Sequence, residues 1–237
     1  MVFDATHIVS LGGNCRVTYN IRKFFGFQSA YPFDWWITRL TAATAFLNEP
    51  SIELLYRPDL LAPLRKGKHI QSIVNTHYGM HLHHEFPRDR ARHVVTDFAA
   101  FTAVPRARMT YVLEKMKQLN RPGNRLLLVR NYLPEDRHMH EQVSRLIEAA
   151  ANYFRAADDL RFLFINPPAE AKRDDRVMTL QFADRRGGDW KGDVPQWQAN
   201  LARVTVTYTP PQREEFGAAD MNWGRLSKLD ALPEKAS

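Results

Sequence analysis

Two apolar runs, RLLLVR at residues 125–130 and LRFLFIN at residues 160–166, enclose a helical pattern and decide the fold of this chain. Each run is short, rich in leucine, valine or phenylalanine, and bounded by polar or turn residues, so each predicts a buried strand. Between them, residues 139–154 predict an amphipathic helix. Its apolar face consists of Val143, Leu146, Ile147, Ala150 and Phe154. A strand, a helix and a strand of these lengths predict a parallel pair with a right-handed crossover.

The chain opens with the same kind of unit. Residues 7–11, HIVSL, predict a buried strand, residues 12–14 form a glycine turn, and residues 17–25 carry apolar side chains at helical spacing. A third strand is predicted at residues 177–182 and a further helix at residues 194–201. We therefore predict an α/β fold, a three-layer domain with a mainly parallel central sheet and helices on both faces.

The other segments carry weaker patterns. Residues 50–68 hold three prolines and predict a loop with short helical pieces. Residues 94–119 predict one or two helices, interrupted near Pro105. We expect residues 1–210 to form a single domain and residues 211–237 to form a peripheral C-terminal tail.

The composition limits the classes of partner. The 237 residues include 33 Lys and Arg against 26 Asp and Glu, a net charge of +7, which favours acidic partners. The basic residues are dispersed and match no nucleic-acid motif, so no nucleic-acid partner is predicted. No run approaches the ~18 apolar residues of a membrane span, so no membrane partner is predicted. The start of the chain does not resemble a signal peptide and one cysteine cannot form an internal disulfide, which predicts a cytoplasmic protein.

Cys15, the single cysteine, follows the glycine turn at the start of the first predicted helix. The positive end of the helix dipole and the unpaired N–H groups there favour the thiolate, which is the nucleophilic form of cysteine. The turn Gly12-Gly13-Asn14 offers backbone N–H groups for an oxyanion hole. The alternative is that Cys15 is a small buried apolar residue without chemistry.

Four of the nine histidines lie close together, at His77, His81, His83 and His84. A thiol nucleophile needs a base within hydrogen-bond reach, and any of these imidazoles is a candidate. Two alternatives are a polar loop and a metal site at His77, His81 and His84. Gly79 disfavours a helix there and no further ligand completes a zinc pattern, so no metal is predicted and no cofactor is expected.

Asp34 is the one acid in the aromatic segment PFDWW, residues 32–36. A carboxylate buried among aromatic side chains needs hydrogen bonds or an ion pair. We expect it to orient a histidine, to fix the turn that holds the cysteine, or to cap the helix that follows.

Parallel strands bring their carboxyl ends to one edge of a sheet, where ligands bind. That rule places residues 12–15, Arg130 with Asn131, and Asn166 on one rim. Arg130 is there predicted to bind an anionic group. Arg106 and Arg108 are instead expected to be solvated or in surface ion pairs.

Three blocks together resemble a bacterial family of unknown function described as papain-like cysteine peptidases. Residues 10–15, SLGGNC, followed by a helix and residues 29–35, SAYPFDW, are similar to the family's Ser-x-Gly-x-x-Cys and Ser-x-Pro-Phe-Asp-Trp. Residues 84–86, HEF, are similar to its His-Asp-Phe block. Residues 106–108 and the strand at 127–130 are similar to its arginine-bearing helix and Phe-Val-Arg strand.

The resemblance implies that Cys15 is the nucleophile and His84 the base, and we assign Asp34 as the orienting acid. The expected function is that of a cysteine-dependent hydrolase or acyl-transferase with a Cys-His dyad. Its substrate is unknown, and the net positive charge favours an acidic one. The alternative is a non-peptidase α/β module, related to glycan transferases, that binds a phosphate or a sugar nucleotide through Arg130 and the glycine turn.

Overall fold

The structure, a computed structural model, describes residues 2–136, 140–168, 174–183 and 189–210. Its strands are β1 Phe3–Ala5, β2 His7–Ser10, β3 Leu61–Lys66, β4 His69–Asn75, β5 Met80–His81, β6 Arg125–Asn131, β7 Asp159–Ile165, β8 Val177–Leu180 and β9 Val206–Tyr208. Its α-helices are α1 Cys15–Phe25, α2 Leu40–Asn48, α3 Ile52–Leu55, α4 Phe98–Phe101, α5 Ala103–Lys117, α6 His140–Tyr153 and α7 Val194–Leu201. Short 3₁₀ helices lie at Pro32–Trp35, Pro58–Leu60 and Pro134–Asp136. The predicted tail, residues 211–237, lies outside the described residues, so the domain boundary stays a prediction.

The central sheet has the strand order β2-β6-β7-β8, and each neighbouring pair is parallel. The β6–β7 pair runs from Arg125 opposite Asp159 to Asn131 opposite Ile165, with α6 as the connection. The strand β1 pairs in parallel with β9. These strands and helices confirm an α/β fold with a mainly parallel sheet, whereas the three-layer arrangement stays a prediction.

The strand β6 contributes side chains to two separate buried clusters. Leu126 and Leu128 belong to a cluster that includes residues of α2, α5 and α6. Leu127 and Val129 belong to a second cluster, which includes residues of α1 and α7. Successive side chains of a strand point to opposite faces, so β6 is apolar on both faces, as expected of a central parallel strand. Each of these four side chains is fully buried, and burial of such a side chain stabilises the fold by about 2 kcal/mol.

Residues 50–68 hold a strand that the sequence analysis did not predict. The three-stranded antiparallel sheet β3-β4-β5 begins with Leu61, and Pro63 lies within its first strand, opposite Ile73. The prolines of this segment favoured a loop. A proline is nevertheless tolerated in β3, because this strand is at the edge of its sheet and needs no donor on its open side.

Two helices occupy residues 94–119, and their boundary is at Thr102. Pro105 lies in the first turn of α5, where its missing N–H breaks no helical hydrogen bond. The interruption near Pro105 is therefore found, but it precedes the proline by three residues.

The neighbouring strands β2 and β6 lead into helices of different clusters. The chain leaves β2 for α1, whose Val17 and Ile21 lie in the second cluster. It leaves β6 for α6, whose Leu146 and Ala150 lie in the first cluster. In open α/β sheets, ligands bind at the carboxyl ends of strands where the connections diverge in this way. The turn between β2 and α1 is therefore the position in this fold where a ligand is expected to bind.

Candidate functional site

The turn between β2 and α1 packs directly against its neighbours. Gly12 and Gly13 have φ values of 82° and 92°, a left-handed conformation that favours glycine. A Cβ atom on Gly13 would lie 2.1 Å from the carbonyl oxygen of Asn131, and one on Gly12 would lie 2.0 Å from Oγ1 of Thr38. Both positions therefore need a residue without a side chain.

The amides of the two glycines are already hydrogen-bonded within the protein. The N–H of Gly12 donates to Oγ of Ser10, and the N–H of Gly13 donates to Oγ1 of Thr38, each at 3.1 Å. The N–H of Thr38 in turn donates to the carbonyl oxygen of Gly13 at 3.2 Å. These two amides are thus committed to the turn, and the prediction that Gly12 and Gly13 contribute to an oxyanion hole finds no support in this arrangement.

The N–H groups of Asn14 and Cys15, the next two residues, are not bonded to the turn in this way. Asn14 is the N-cap of α1 in an extended conformation, and its side chain makes no capping bond. Within the described ranges, no oxygen accepts a hydrogen bond from the N–H groups of Asn14 and Cys15, and the N–H of Cys15 interacts with its own thiol. Unsatisfied N–H groups are what the first turn of a helix offers to an anion or an oxyanion. A predicted oxyanion hole at this turn therefore depends on Asn14 and Cys15.

Arg130 supports this turn from inside the protein. Its guanidinium donates to the carbonyl oxygens of Leu11 at 2.9 Å and Thr38 at 2.8 Å, and pairs with the carboxylate of Asp136 at 2.9 Å. The side chains of Arg130 and Asp136 have no exposed surface. Arg130 therefore holds the ends of the turn in place, and the prediction that it binds an anionic ligand finds no support in these contacts.

Cys15 is the first residue of α1, and its free thiol is half-buried. Burial raises the pKa of the Cys15 thiol, and its own backbone N–H and the charge of Arg16 lower this pKa by less. The sequence analysis expected the helix N-terminus to favour the thiolate. In the structure the cost of removing the thiolate from water is the larger effect, so the neutral thiol is the resting form.

This raised pKa predicts how the thiol reacts. At pH 7 the folded protein is expected to react with iodoacetamide more slowly than the same chain unfolded in urea, because the folded state holds a smaller fraction of thiolate. The rate is expected to rise with pH and to reach half its maximum at a higher pH in the folded chain. Mass spectrometry of the Cys15 peptide measures both rates. A folded-state rate that is already maximal below about pH 8 would contradict this prediction.

Asp34 fastens the 3₁₀ segment Pro32–Trp35 to α1. Its carboxylate accepts hydrogen bonds from the backbone N–H of Tyr31 at 2.9 Å and from Oγ1 of Thr18 at 3.3 Å, and it pairs with Arg22. Asp34 is 2% exposed, and burial raises the pKa of its carboxyl more than Arg22 lowers it. Among the described residues, no imidazole contacts Asp34. These contacts join Asp34 to α1 and to the start of its own 3₁₀ segment, and its expected role as the orienting acid stays a prediction.

Trp35 connects α1 to the histidines. Its ring lies 5.8 Å from the guanidinium of Arg22 and 6.2 Å, edge to face, from the ring of His84. Partial burial and the charges of Arg88 and Arg108 lower the pKa of His84. The pKa of the neighbouring His83 is lowered to about 4. Both imidazoles are therefore neutral at pH 7 and able to accept a proton.

No hydrogen bond joins Cys15 to an imidazole in the part of the chain that the structure describes, so the Cys15–His84 dyad stays a prediction. The backbone of His81 is linked to the turn by a short route. It pairs with Ile37 through bonds of 3.0 and 3.2 Å, and Ile37 precedes Thr38, the partner of Gly13.

Glu85 and Arg108 form a buried ion pair that the sequence analysis did not predict. The carboxylate of Glu85 also accepts hydrogen bonds from Nε1 of Trp36 and the hydroxyl of Tyr56, both at 3.2 Å. Its side chain has no exposed surface, and that of Arg108 is 14% exposed. Arg108 is thus not the surface residue that was expected. An acid beside aromatic residues had singled out Asp34, and the same signal is present at Glu85 and Phe86.

A second exposed tryptophan, Trp190, also lies beside α1. Nε of Arg16 donates to the carbonyl oxygen of Trp190 at 3.0 Å, and the rings of Tyr19 and Trp190 lie 5.4 Å apart. The ammonium of Lys191 lies 5.3 Å from the ring of Tyr19. Trp35 and Trp190 are 36% and 49% exposed. Trp190 lies beside Arg16 and Tyr19 near the start of α1, whereas Trp35 lies beside Arg22 in the last turn of this helix.

The histidine cluster offers no support for the metal alternative. His77 lies 3.4 Å from a carboxylate oxygen of Glu49, His81 pairs with Ile37, and His84 contacts Trp35. In residues 2–136 and the other described ranges, no three histidine, cysteine or acidic side chains are grouped to bind a metal.

In the same ranges, no helix has the length and apolar character needed to span a membrane.

Comparison with known proteins gives no match: no family model, curated protein or solved structure is similar to this chain.

Proposed function

We propose that the protein is a cysteine-dependent hydrolase or acyl-transferase of peptidase-like type, with Cys15 as the nucleophile and His84 as the base. One observation carries the proposal. A half-buried free thiol begins α1 at the point where the connections of β2 and β6 diverge, beside the amides of Asn14 and Cys15, which donate to no oxygen in the described residues. The side chains of β6 alternate between two buried clusters, which further supports a three-layer arrangement with this turn at the edge of the central layer.

The pKa shifts define the protonation states at the start of the reaction. Cys15 begins as the thiol and His84 as the neutral imidazole, since the pKa of the first is raised and that of the second is lowered. The imidazole removes the thiol proton as Sγ forms its bond to the carbonyl carbon of the substrate. The electron pair of the carbonyl double bond moves to oxygen, and the N–H groups of Asn14 and Cys15 stabilise the oxyanion.

The second half of the reaction returns the proton. The oxyanion collapses, the bond to the leaving group breaks, and the imidazolium of His84 gives its proton to that group. Water, or another nucleophile in an acyl-transferase, then attacks the acyl group on Sγ with His84 again acting as the base. The bond between the acyl carbon and Sγ breaks, and the imidazolium of His84 returns the proton to Sγ, which restores the thiol. Asp34 takes the part of a positioning residue, because it holds Trp35 against α1 and Trp35 contacts His84.

The test uses p-nitrophenyl acetate as an acyl donor, and intact mass spectrometry to detect the acyl-enzyme. Cys15→Ala is expected to abolish acylation. His84→Gln is expected to slow it at pH 7 by about 10²–10⁴-fold, the usual contribution of a general base. His93→Gln serves as the control, because the ring of His93 contacts His69 at the start of β4 and not Trp35 or α1.

Three outcomes decide between the assignments. Equal acylation by the wild type and Cys15→Ala contradicts the proposed function. Loss of acylation in Cys15→Ala together with full activity of His84→Gln contradicts the choice of base, and His81→Gln and His83→Gln then identify it. Loss in His93→Gln as large as in His84→Gln assigns the effect to the fold and contradicts the dyad.

The second candidate is a module that binds a phosphate or a sugar nucleotide. It is favoured by the same two amides and by Arg16 in the first turn of α1, which carries no acidic residue. Thermal-shift measurements with inorganic phosphate and a uridine diphosphate sugar test it. A ligand-induced rise in Tm that is the same in Cys15→Ala, without acylation of the wild type, would favour this candidate over the hydrolase.

A further inference from the structure

Six exposed cations lie together beyond the end of the antiparallel sheet β3-β4-β5. Three are in the β3–β4 hairpin, and three are in the loop that follows the histidine cluster. They are Arg65, Lys66, Lys68, Arg88, Arg90 and Arg92, here called the basic platform. Asp89 is the one acidic residue in the two segments, residues 64–70 and 87–94. In the described structure, none of the six cations forms an ion pair with a carboxylate.

Backbone hydrogen bonds hold the two segments of the basic platform side by side. The N–H of Val94 donates to the carbonyl oxygen of Ile70 at 3.1 Å, and the N–H of Ile70 donates to Nδ1 of His93 at 3.2 Å. The guanidinium of Arg88 donates to the carbonyl oxygens of Gln71 and Arg92, each at 2.9 Å. The loop therefore follows the edge of β4 that faces away from β3, and the cations keep a defined spacing.

The end of the hairpin protrudes from the core. Residues 63–68 are all exposed, although successive side chains of a strand point to opposite faces. Both faces of β3 thus meet solvent at the hairpin tip. Neighbouring strands lie about 4.8 Å apart. A two-stranded β-ribbon fits into the major groove of duplex DNA, which is about 12 Å wide.

We propose that the basic platform binds the phosphate backbone of a double-stranded nucleic acid. Four of the six cations are arginines, and a planar guanidinium suits two phosphate oxygens at once. Arg88 uses part of this capacity on the carbonyl oxygens of Gln71 and Arg92, so Arg65, Arg90 and Arg92 are the arginines offered to phosphate. The platform has no exposed tryptophan, tyrosine or phenylalanine, and its two imidazoles, His69 and His93, lie against each other at 4.3 Å. It therefore lacks the stacking surface typical of proteins that bind single strands.

The chemistry of the hairpin tip favours a duplex over an acidic membrane. Gly67 lies between Lys66 and Lys68, and Leu64 is the one large apolar side chain exposed beside them. A peptide that enters the lipid interface needs several apolar side chains at its tip. This proposal revises the expectation of no nucleic-acid partner, and it does not rest on the proposed chemistry of Cys15.

Binding to a fluorescent duplex of about 20 base pairs and mixed sequence, measured by anisotropy at 50 and 200 mM salt, tests the proposal. The variant Arg65→Ala/Lys66→Ala/Lys68→Ala removes three exposed cations that have no structural bond. It is expected to bind at least about tenfold more weakly, and the slope of log affinity against log salt is expected to fall by about 2–3. The control Lys23→Ala/Arg155→Ala/Arg203→Ala removes the same charge from other elements and is expected to change affinity less than about twofold.

Several results would overturn the proposal. These are no binding by the wild type at 50 mM salt, or equal weakening in the control, which would assign binding to net charge alone. Tighter binding to phosphatidylserine vesicles or to a single strand than to the duplex would assign the basic platform to that other partner.

Discussion

Replacing Arg130 by methionine is expected to lower the free energy of unfolding by about 3–5 kcal/mol, because it leaves a buried carboxylate without its cation. Of its donors among the described residues, Asp136 would keep the N–H groups of Leu40 at 3.1 Å and Leu133 at 3.2 Å. The carbonyl oxygens of Leu11 and Thr38 would lose donors at the same time. Urea denaturation followed by tryptophan fluorescence measures the change.

An exposed ion pair provides the matched control for Arg130. The side chains of Arg57 and Asp59 pair at 2.9 Å but are 51% and 67% exposed, so Arg57→Met is expected to cost less than about 1 kcal/mol. The double variant Arg130→Met/Asp136→Asn is expected to recover part of the loss, since it removes the unpaired charge as well. An Arg130→Met protein as stable as Arg57→Met would show that the buried pair does not hold the turn.

Replacing Gly13 by alanine is expected to destabilise the protein by about 3 kcal/mol or more. A left-handed conformation costs an alanine about 1–2 kcal/mol. At Gly13 the new Cβ would also meet the carbonyl oxygen of Asn131 at 2.1 Å, so the turn or β6 has to move. This displacement would carry Cys15 with it, and iodoacetamide should then label the thiol faster in the variant than in the wild type.

Alanine substitutions at Gly26 and Gly123 distinguish the cost of the steric clash at Gly13 from the cost of the left-handed backbone conformation. Both have positive φ values, 75° and 88°, but a Cβ at either position meets nothing within 4 Å. Gly26→Ala and Gly123→Ala are therefore expected to cost about 1–2 kcal/mol, without a change in the labelling of Cys15. If all three variants lose the same stability, the contact between the turn and Asn131 is not what makes Gly13 necessary.

Local patterns were sufficient for the elements of the central sheet. The predicted helix at residues 194–201 has the same bounds as α7, and the predicted strand at residues 125–130 is one residue shorter than β6. These elements are short, apolar at a regular spacing and bounded by turn residues, so neighbouring residues suffice to define them. The rule for parallel strands likewise brought the glycine turn and Asn131 to one edge, where they pack together.

The strand β3 was missed because its evidence is not local. Pro63 disfavours a strand in isolation, and it is tolerated because β4 pairs with one side of β3 and leaves the other open. The pKa of Cys15 was predicted in the wrong direction for a related reason. The effect of the helix N-terminus can be inferred from sequence, whereas the burial that outweighs it comes from the packing around the turn.

The sequence by itself determined that strands alternate with helices, and that the single cysteine begins a helix directly after a strand and two glycines. Only the tertiary structure decided which charges are buried in pairs and which collect at the surface. Arg108 meets Glu85 inside the protein, while residues 65–68 and 88–92 join into one basic surface. The physical reason is that each of these contacts joins segments about twenty residues apart, and no periodicity within either segment encodes how the folded chain brings them together.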